Sequence, residues 1–209
     1  MPRQTLDREI HHLQDEVLLL GSMVEQSMLN AIDTLKRRDL AGARQVYNDD
    51  DLINEKKYAI ENRGLIGFAP QQPNAHDLRL LAAILEVITE LERMGDYAKG
   101  IAKVCIVIGE DPTPIPAREI SRMGDLAVGM LHRALSAFIH EDVSMSYRIP
   151  KEDDLVDALY NQIYRKNVAD MIANPDIIDH SNYIMWVVHN IERMADRVTN
   201  ICERTIFIA

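Results

Sequence analysis

The chain carries one unit written twice, and that constrains its fold more than anything else in it. Residues 90–106 read ELERMGDYAKGIAKVCI and residues 190–206 read NIERMADRVTNICERTI. The shared pattern is [LI]-E-R-M-[GA]-D, in which Glu92, Arg93, Met94 and Asp96 return as Glu192, Arg193, Met194 and Asp196. DDLINEKKYAI at 50–60 answers to DDLVDALYNQI at 153–163, and Glu9, Ile10 and Asp15 answer to Glu119, Ile120 and Asp125. The order is the same in both halves, so the pattern is a tandem duplication and each half must satisfy the same fold.

Breakers then divide each half. The stretch 64–74 (GLIGFAPQQPN) and the stretch 109–116 (GEDPTPIP) concentrate Gly and Pro. Proline lacks the backbone donor and clashes with the preceding turn, so neither stretch reads as helix interior. A weaker break falls at Asn174-Pro175, with turns at Arg38-Asp39 and at His140-Glu141-Asp142. Six helices are predicted between these points, over 5–38, 40–63, 75–108, 117–140, 143–173 and 179–207. In the last, Ile184, Val187, Ile191, Met194, Val198, Ile201, Thr205 and Ile208 form one apolar stripe in steps of three and four. The third shows the same stepping from Leu78, Leu81 and Leu85 through Met94 to Ile108. Helices of this length need neighbours to bury such stripes. The predicted fold is therefore all-α: two tandem three-helix bundles, 1–108 and 117–209, joined by 109–116.

Composition removes several classes of function. The formal charge is -10, with 33 acidic against 23 basic residues. Such a surface repels nucleic acid and gives no reason for docking on anionic lipid. No stretch reaches the roughly 20 apolar residues of a membrane span, and the start, MPRQTLD, lacks the apolar core of a signal peptide. The cysteines, Cys105 and Cys202, lie in separate helices outside any CxxC pair, as expected of buried thiols in a reducing cytoplasm. Glycine-rich phosphate loops, GxSxG and HExxH are all absent from the sequence. The chain reads as a cytoplasmic protein without catalysis of its own.

The repeated ExxxD remains. Glu92 and Asp96, like Glu192 and Asp196, stand one helical turn apart on one face, where two like charges repel. Either the neighbouring arginines and solvent offset the repulsion, or a hard or borderline cation does. With Ile191 and Met194 in the seam, the acids point outward, so a cation would sit in a surface groove rather than in a buried di-metal core. Counting back through the connecting turns brings Asp50 and Asn54 of the second helix level with about residue 89, and Asp153 and Asp157 level with about residues 196–200. The second repeat thus offers four acids and the first only three, Asn54 standing where Asp is expected. His189, three residues before Glu192, could join the second set.

A Gln-x-Pro loop followed by DLR (QQPNAHDLR, 71–79), a helix ending in ELERMGDYAKGIAK and a second half ending in NIERMADRVTNICE resemble the PhoU family, over nearly the whole chain. The resemblance implies two similar three-helix bundles, often paired as homodimers, and a negative regulator of the phosphate-starvation response. It implies as partners the ATP-binding subunit of the high-affinity phosphate transporter and a sensor histidine kinase. It further implies that iron, zinc or another divalent metal can bind on the bundle surface through E/DxxxD motifs, here Glu92 with Asp96, Glu192 with Asp196, and Asp153 with Asp157; Asp50 matches, with Asn54 as the departure. Two other readings share these features: a PhoU-like regulator of a different ion transporter, and a helical metal-storage protein. Storage and oxidase bundles use two inward-facing ExxH motifs as a pair, and the sequence does not carry two.

Overall fold

A computed structural model describes residues 2–209. The helices are α1 (Pro2–Arg37), α2 (Leu40–Phe68), α3 (Ala75–Ile108), α4 (Ala117–Ile139), the single turn α5 (Val143–Ser146), α6 (Asp153–Ala173) and α7 (Ile178–Ile208). Short 3-10 turns at Ile149–Glu152 and Pro175–Ile177 lead into α6 and α7. Among the described residues there is no strand, and no helix is long and apolar enough to cross a membrane.

Local chemistry accounts for the helix starts. Asp39 caps α2 by accepting from the Gly42 amide at 2.9 Å. Asn74 opens α3 with a capping box: its side chain accepts from the Asp77 amide, and the Asp77 carboxylate accepts from the Asn74 amide. Each satisfies a donor the first turn leaves free.

Three sequence expectations need correction. The second helix does not stop at residue 63 but runs on to Phe68. Gly64 is buried against Leu81 and Leu13, and glycine inside a helix costs only about 1 kcal/mol, so it is Pro70 rather than the glycines that sets the end. The predicted helix 143–173 is broken into α5, a 3-10 turn and α6, because Pro150 interrupts the α-helical ladder. On α3 the stripe through Leu78 is displaced at its start: Leu78 is 52% exposed, while Leu80, Ile84 and Val87 are buried. From Ile88 through Cys105 the predicted stripe holds. Every member of the α7 stripe is buried.

The helices form two layers. α2, α3, α7 and α6 lie side by side in that order, and α1 and α4 pack together beneath them, α1 under α2 and α3, α4 under α6 and α7. One hydrophobic core runs through both halves. The most extensive pairing is α3 with α7, antiparallel and related by exchange of the halves. The Asn200 amide donates to Glu90 at 3.1 Å, and at the corresponding place Asn190 packs on Gly100. Tyr97 and Arg197, which occupy the same position in the two repeats, meet each other at 3.3 Å. α1 and α4 cross with the same antiparallel sense: Gly21 lies under Leu135 and Gly124 under Ile32, each so close that an added Cβ would stand 2.2 Å from a methyl group.

Glu90 ties the two halves. Its carboxylate, 12% exposed, accepts from Asn200 and pairs with Arg197 at 3.3 Å and Arg93 at 3.2 Å. Truncation leaves these donors with poorer partners at a semi-buried position, so Glu90→Ala should lower the unfolding free energy by about 1–3 kcal/mol. Urea denaturation is the measurement, and Glu90→Gln should fall in between. A value within error of wild type would show that apolar packing alone holds the halves.

Candidate metal centre

Each half brings an acidic pair on its inner helix beside an outer helix: α3 beside the third and fourth turns of α2, and α7 beside the start of α6. In the second groove the structure gathers all four expected acids, since Asp153 lies in the field of Asp157, Asp196 and Glu192. Burial and those three neighbours push Asp153 up to about 6. Burial, then Asp196, also raises Asp157. Burial and Asp196 raise Glu192 against the pull of His189 and Arg193. The basic side chains that the structure pairs with these acids are Arg193, which donates to Asp196 at 3.0 Å, and His189, whose Nδ1 is 3.3 Å from Glu192 Oε2. One carboxylate oxygen, Asp153 Oδ1, is buried with neither a hydrogen bond nor an ion-pair contact, while Glu192 Oε2 is buried with only the His189 contact. A buried carboxylate oxygen is costly to leave unpaired, and clustered like charges add to that cost.

The first groove differs. Asp50 is 2% exposed, far from a surface carboxylate. It lies level with Gly95 and Lys99 rather than residue 89. The shift follows from α2 continuing to Phe68, which moves the turn along the chain. Its Oδ2 accepts from Lys99 Nζ at 2.9 Å and from Asn54 Nδ2 at 3.2 Å. Glu92 and Asp96 sit beside it; desolvation raises both, with Asp96 and Asp50 adding to the rise at Glu92 while Lys57 opposes it. Sequence reasoning missed Lys99. The signal was present: in the repeat alignment it stands against Thr199, a charge in one half with no counterpart in the other.

Among the described residues no three His, Cys, Asp or Glu side chains already converge as a coordination shell. Four carboxylates without an intervening cation hold apart, so closing on an ion requires them to rotate inward. The donor set of the second groove nevertheless suits one: hard oxygen ligands from two helices, one of them, Asp153 Oδ1, buried and unpaired, on a site open enough to retain water. The first groove fits poorly, because an ammonium already lies against its buried acid.

A cavity of about 140 Å3 lies elsewhere, between the 113–116 linker, the C-terminal half of α6 and the start of α7. His180 lines it with both ring nitrogens buried and outside hydrogen-bond geometry, its Nδ1 3.5 Å from Asp111 Oδ2. None of the expected site residues borders it.

A family model, the PhoU domain, matches the chain twice, over residues 6–105 and 120–205. A phosphate-specific transport system accessory protein PhoU homolog of Clostridium acetobutylicum is 31% identical over 209 residues, covering 100% of this chain and 95% of the relative. A homolog of the same description from Caulobacter vibrioides is 34% identical over 196 residues, 93% of this chain and 85% of its own length. Among solved structures, PhoU from Pseudomonas aeruginosa superposes with a TM-score of 0.90 at 30% identity, covering 97% of each chain. The phosphate transport system regulatory protein PhoU from Streptococcus pneumoniae also gives 0.90, at 29% identity, over 97% of this chain and 96% of that one.

The crowding in the second groove has a thermal signature. Asp153 titrates higher in the fold, at about 6, than its ordinary 3.8, so its negative charge opposes folding. That penalty is absent below the unfolded value and builds as pH rises through the folded one. With chelator present, the melting temperature should therefore fall between pH 5 and pH 7. Asp153→Asn should flatten that slope and raise the melting temperature at pH 7 by a few degrees, about 1 kcal/mol. An unchanged slope in Asp153→Asn would mean that its carboxyl is freely solvated.

Proposed function

The chain belongs to the PhoU family, and from that premise we propose that it is a cytoplasmic negative regulator of the phosphate-starvation response. In this reading it couples the ATP-binding subunit of the high-affinity phosphate transporter to a sensor histidine kinase. It works by contact, as a homodimer, and catalyses nothing. The observation that carries the proposal is the match of both halves, in order, to accessory proteins of phosphate-specific transport along nearly their whole length. The buried thiols agree with a contact role: burial pushes Cys202 up to about 12 and raises Cys105, so neither offers a thiolate nucleophile.

The second groove would serve this role as a cation site. Asp153 and Asp157 from α6 and Glu192 and Asp196 from α7 would hold iron or another divalent ion, which would cancel their repulsion and clamp α6 against α7. The lesser packing of α6 on α7 than of α2 on α3 is consistent with a clamp at that place. The oxygen-only ligand set favours a hard or borderline ion over zinc, which prefers nitrogen and sulfur.

Deletion of the gene should leave phosphate-starvation genes expressed in phosphate-rich medium, and normal repression there would refute the regulatory role. Metal analysis of protein purified without chelator tests the cation site. Asp157→Ala with Asp196→Ala should lose most of the bound metal, and unchanged content would reduce these acids to a solvated face.

A further inference from the structure

Aligned by the duplication, the two grooves differ at several places, and five of the differences act together. Asn54 stands against Asp157, Lys57 against Tyr160, Lys99 against Thr199, Gly95 against Ala195 and Tyr47 against Pro150. The first groove has lost one acid and gained two lysines. Gly95 lets Asp50 approach α3 closely: an added Cβ would lie 3.3 Å from Asp50 Oδ1 and 3.1 Å from Ile53. Asp50 is thereby driven to 2% exposure, deeper than its half-buried counterpart Asp153. Lys99 Nζ meets Asp50 Oδ2 at 2.9 Å and lies 5.0 Å from the centre of the Tyr47 ring, held from one side by charge and from the other by a π face. Asn54 Nδ2 donates to the same carboxylate oxygen. In the second groove the aromatic wall is missing, because Pro150 breaks the helix there, and Asp153 Oδ1 is left unpaired.

We propose that the ammonium of Lys99 is the resident cation of the first groove, standing where the second groove takes a metal ion, so that each chain binds metal in its second groove alone. The inference rests on the cation reading of the second groove, yet it makes a separate claim about Lys99. A tethered lysine fixes the first groove in one charge state whatever the metal supply. The second groove is left as the half whose helix packing depends on a free ion. The two halves of one chain thus divide into a constant partner and a responsive one.

The experiment uses Mn(II) as probe, with bound metal per chain measured by equilibrium dialysis and by electron paramagnetic resonance. Four proteins are compared: wild type, Lys99→Thr with Asn54→Asp, Asp153→Asn with Asp196→Asn, and the combination of all four substitutions. Wild type should bind in the second groove only, and Asp153→Asn with Asp196→Asn should abolish binding. Lys99→Thr with Asn54→Asp should raise bound Mn(II) per chain roughly twofold, since it restores four oxygen ligands. The combined variant should keep binding at the first groove. Wild type and combined variant then separate the two ideas. No binding in wild type with binding in the combined variant would sink the second-groove reading and uphold the role of Lys99. No gain in either variant lacking Lys99 would overturn it. Should removal of Lys99 unfold the chain, Asp96→Asn in the otherwise wild-type protein decides the matter: unchanged Mn(II) binding upholds the proposal and a clear loss overturns it. Lys99→Arg with Asn54→Asp, which keeps a cation at the site, should gain no metal.

Discussion

The antiparallel packing of α3 on α7 is the contact on which the rest of the structure depends. Both helices are buried along most of one face, and each also carries the acidic motif of its half. They fix a register in which position 90 of one repeat meets position 100 of the other, in both directions. Once that register is set, α2 and α6 can only flank the central pair, and α1 and α4 can only fill the layer beneath. The polar ties at this seam run mainly through Glu90, while the bulk of the adhesion is apolar area, which scales with burial and is indifferent to direction. The seam therefore derives its strength from the stripe and its register from a few hydrogen bonds.

The two grooves show how one backbone can support opposite electrostatic solutions. In both, an aspartate at the third or fourth turn of an outer helix or at its start faces an ExxxD on the inner one. The first groove answers with lysine and asparagine, and its buried acid is satisfied within the chain. The second answers with more acid: Asp153, Asp157 and Glu192 are pushed toward protonation, and Asp153 Oδ1 is left unpaired. Positions that contribute nothing to folding as written, and oppose it while charged, are those where a ligand has most to contribute.

Much of the architecture was legible because it follows from periodicity. The α7 stripe from Ile184 to Ile208 could be read directly, and so could the cap at Asn74 and the linker after Ile108. What was not legible had specific causes. Gly64 and Gly67 looked like a helix end, yet a glycine beside a large neighbour can serve packing as well as punctuation; only Pro70 carries the steric veto. Pro150 was passed over because the segment around it is otherwise helical in composition. Its consequence reaches the groove, since the break removes the aromatic wall that the first repeat keeps in Tyr47. The ExxxD acids of both grooves are half-buried or exposed, but the burial of Asp50 depends on Gly95, and close approach between helices leaves no trace in hydrophobic spacing. Lys99 was hidden by the habit of aligning what repeats share: the informative position was one where they disagree.

The linker at 109–116 gives the seam a consequence beyond geometry. Two separate copies of a half-length chain would have to meet by diffusion, and every substitution at their shared seam would appear twice, face to face with itself. A covalent tether holds the halves at high effective concentration whatever their intrinsic affinity. It also releases each seam position from its duplicate. Glu90 can meet Asn200 while the corresponding pairing is Asn190 against Gly100, an arrangement no symmetric pair of identical chains could adopt. Duplication followed by tethering thus converts a symmetric assembly into one inherited unit whose halves are free to specialise.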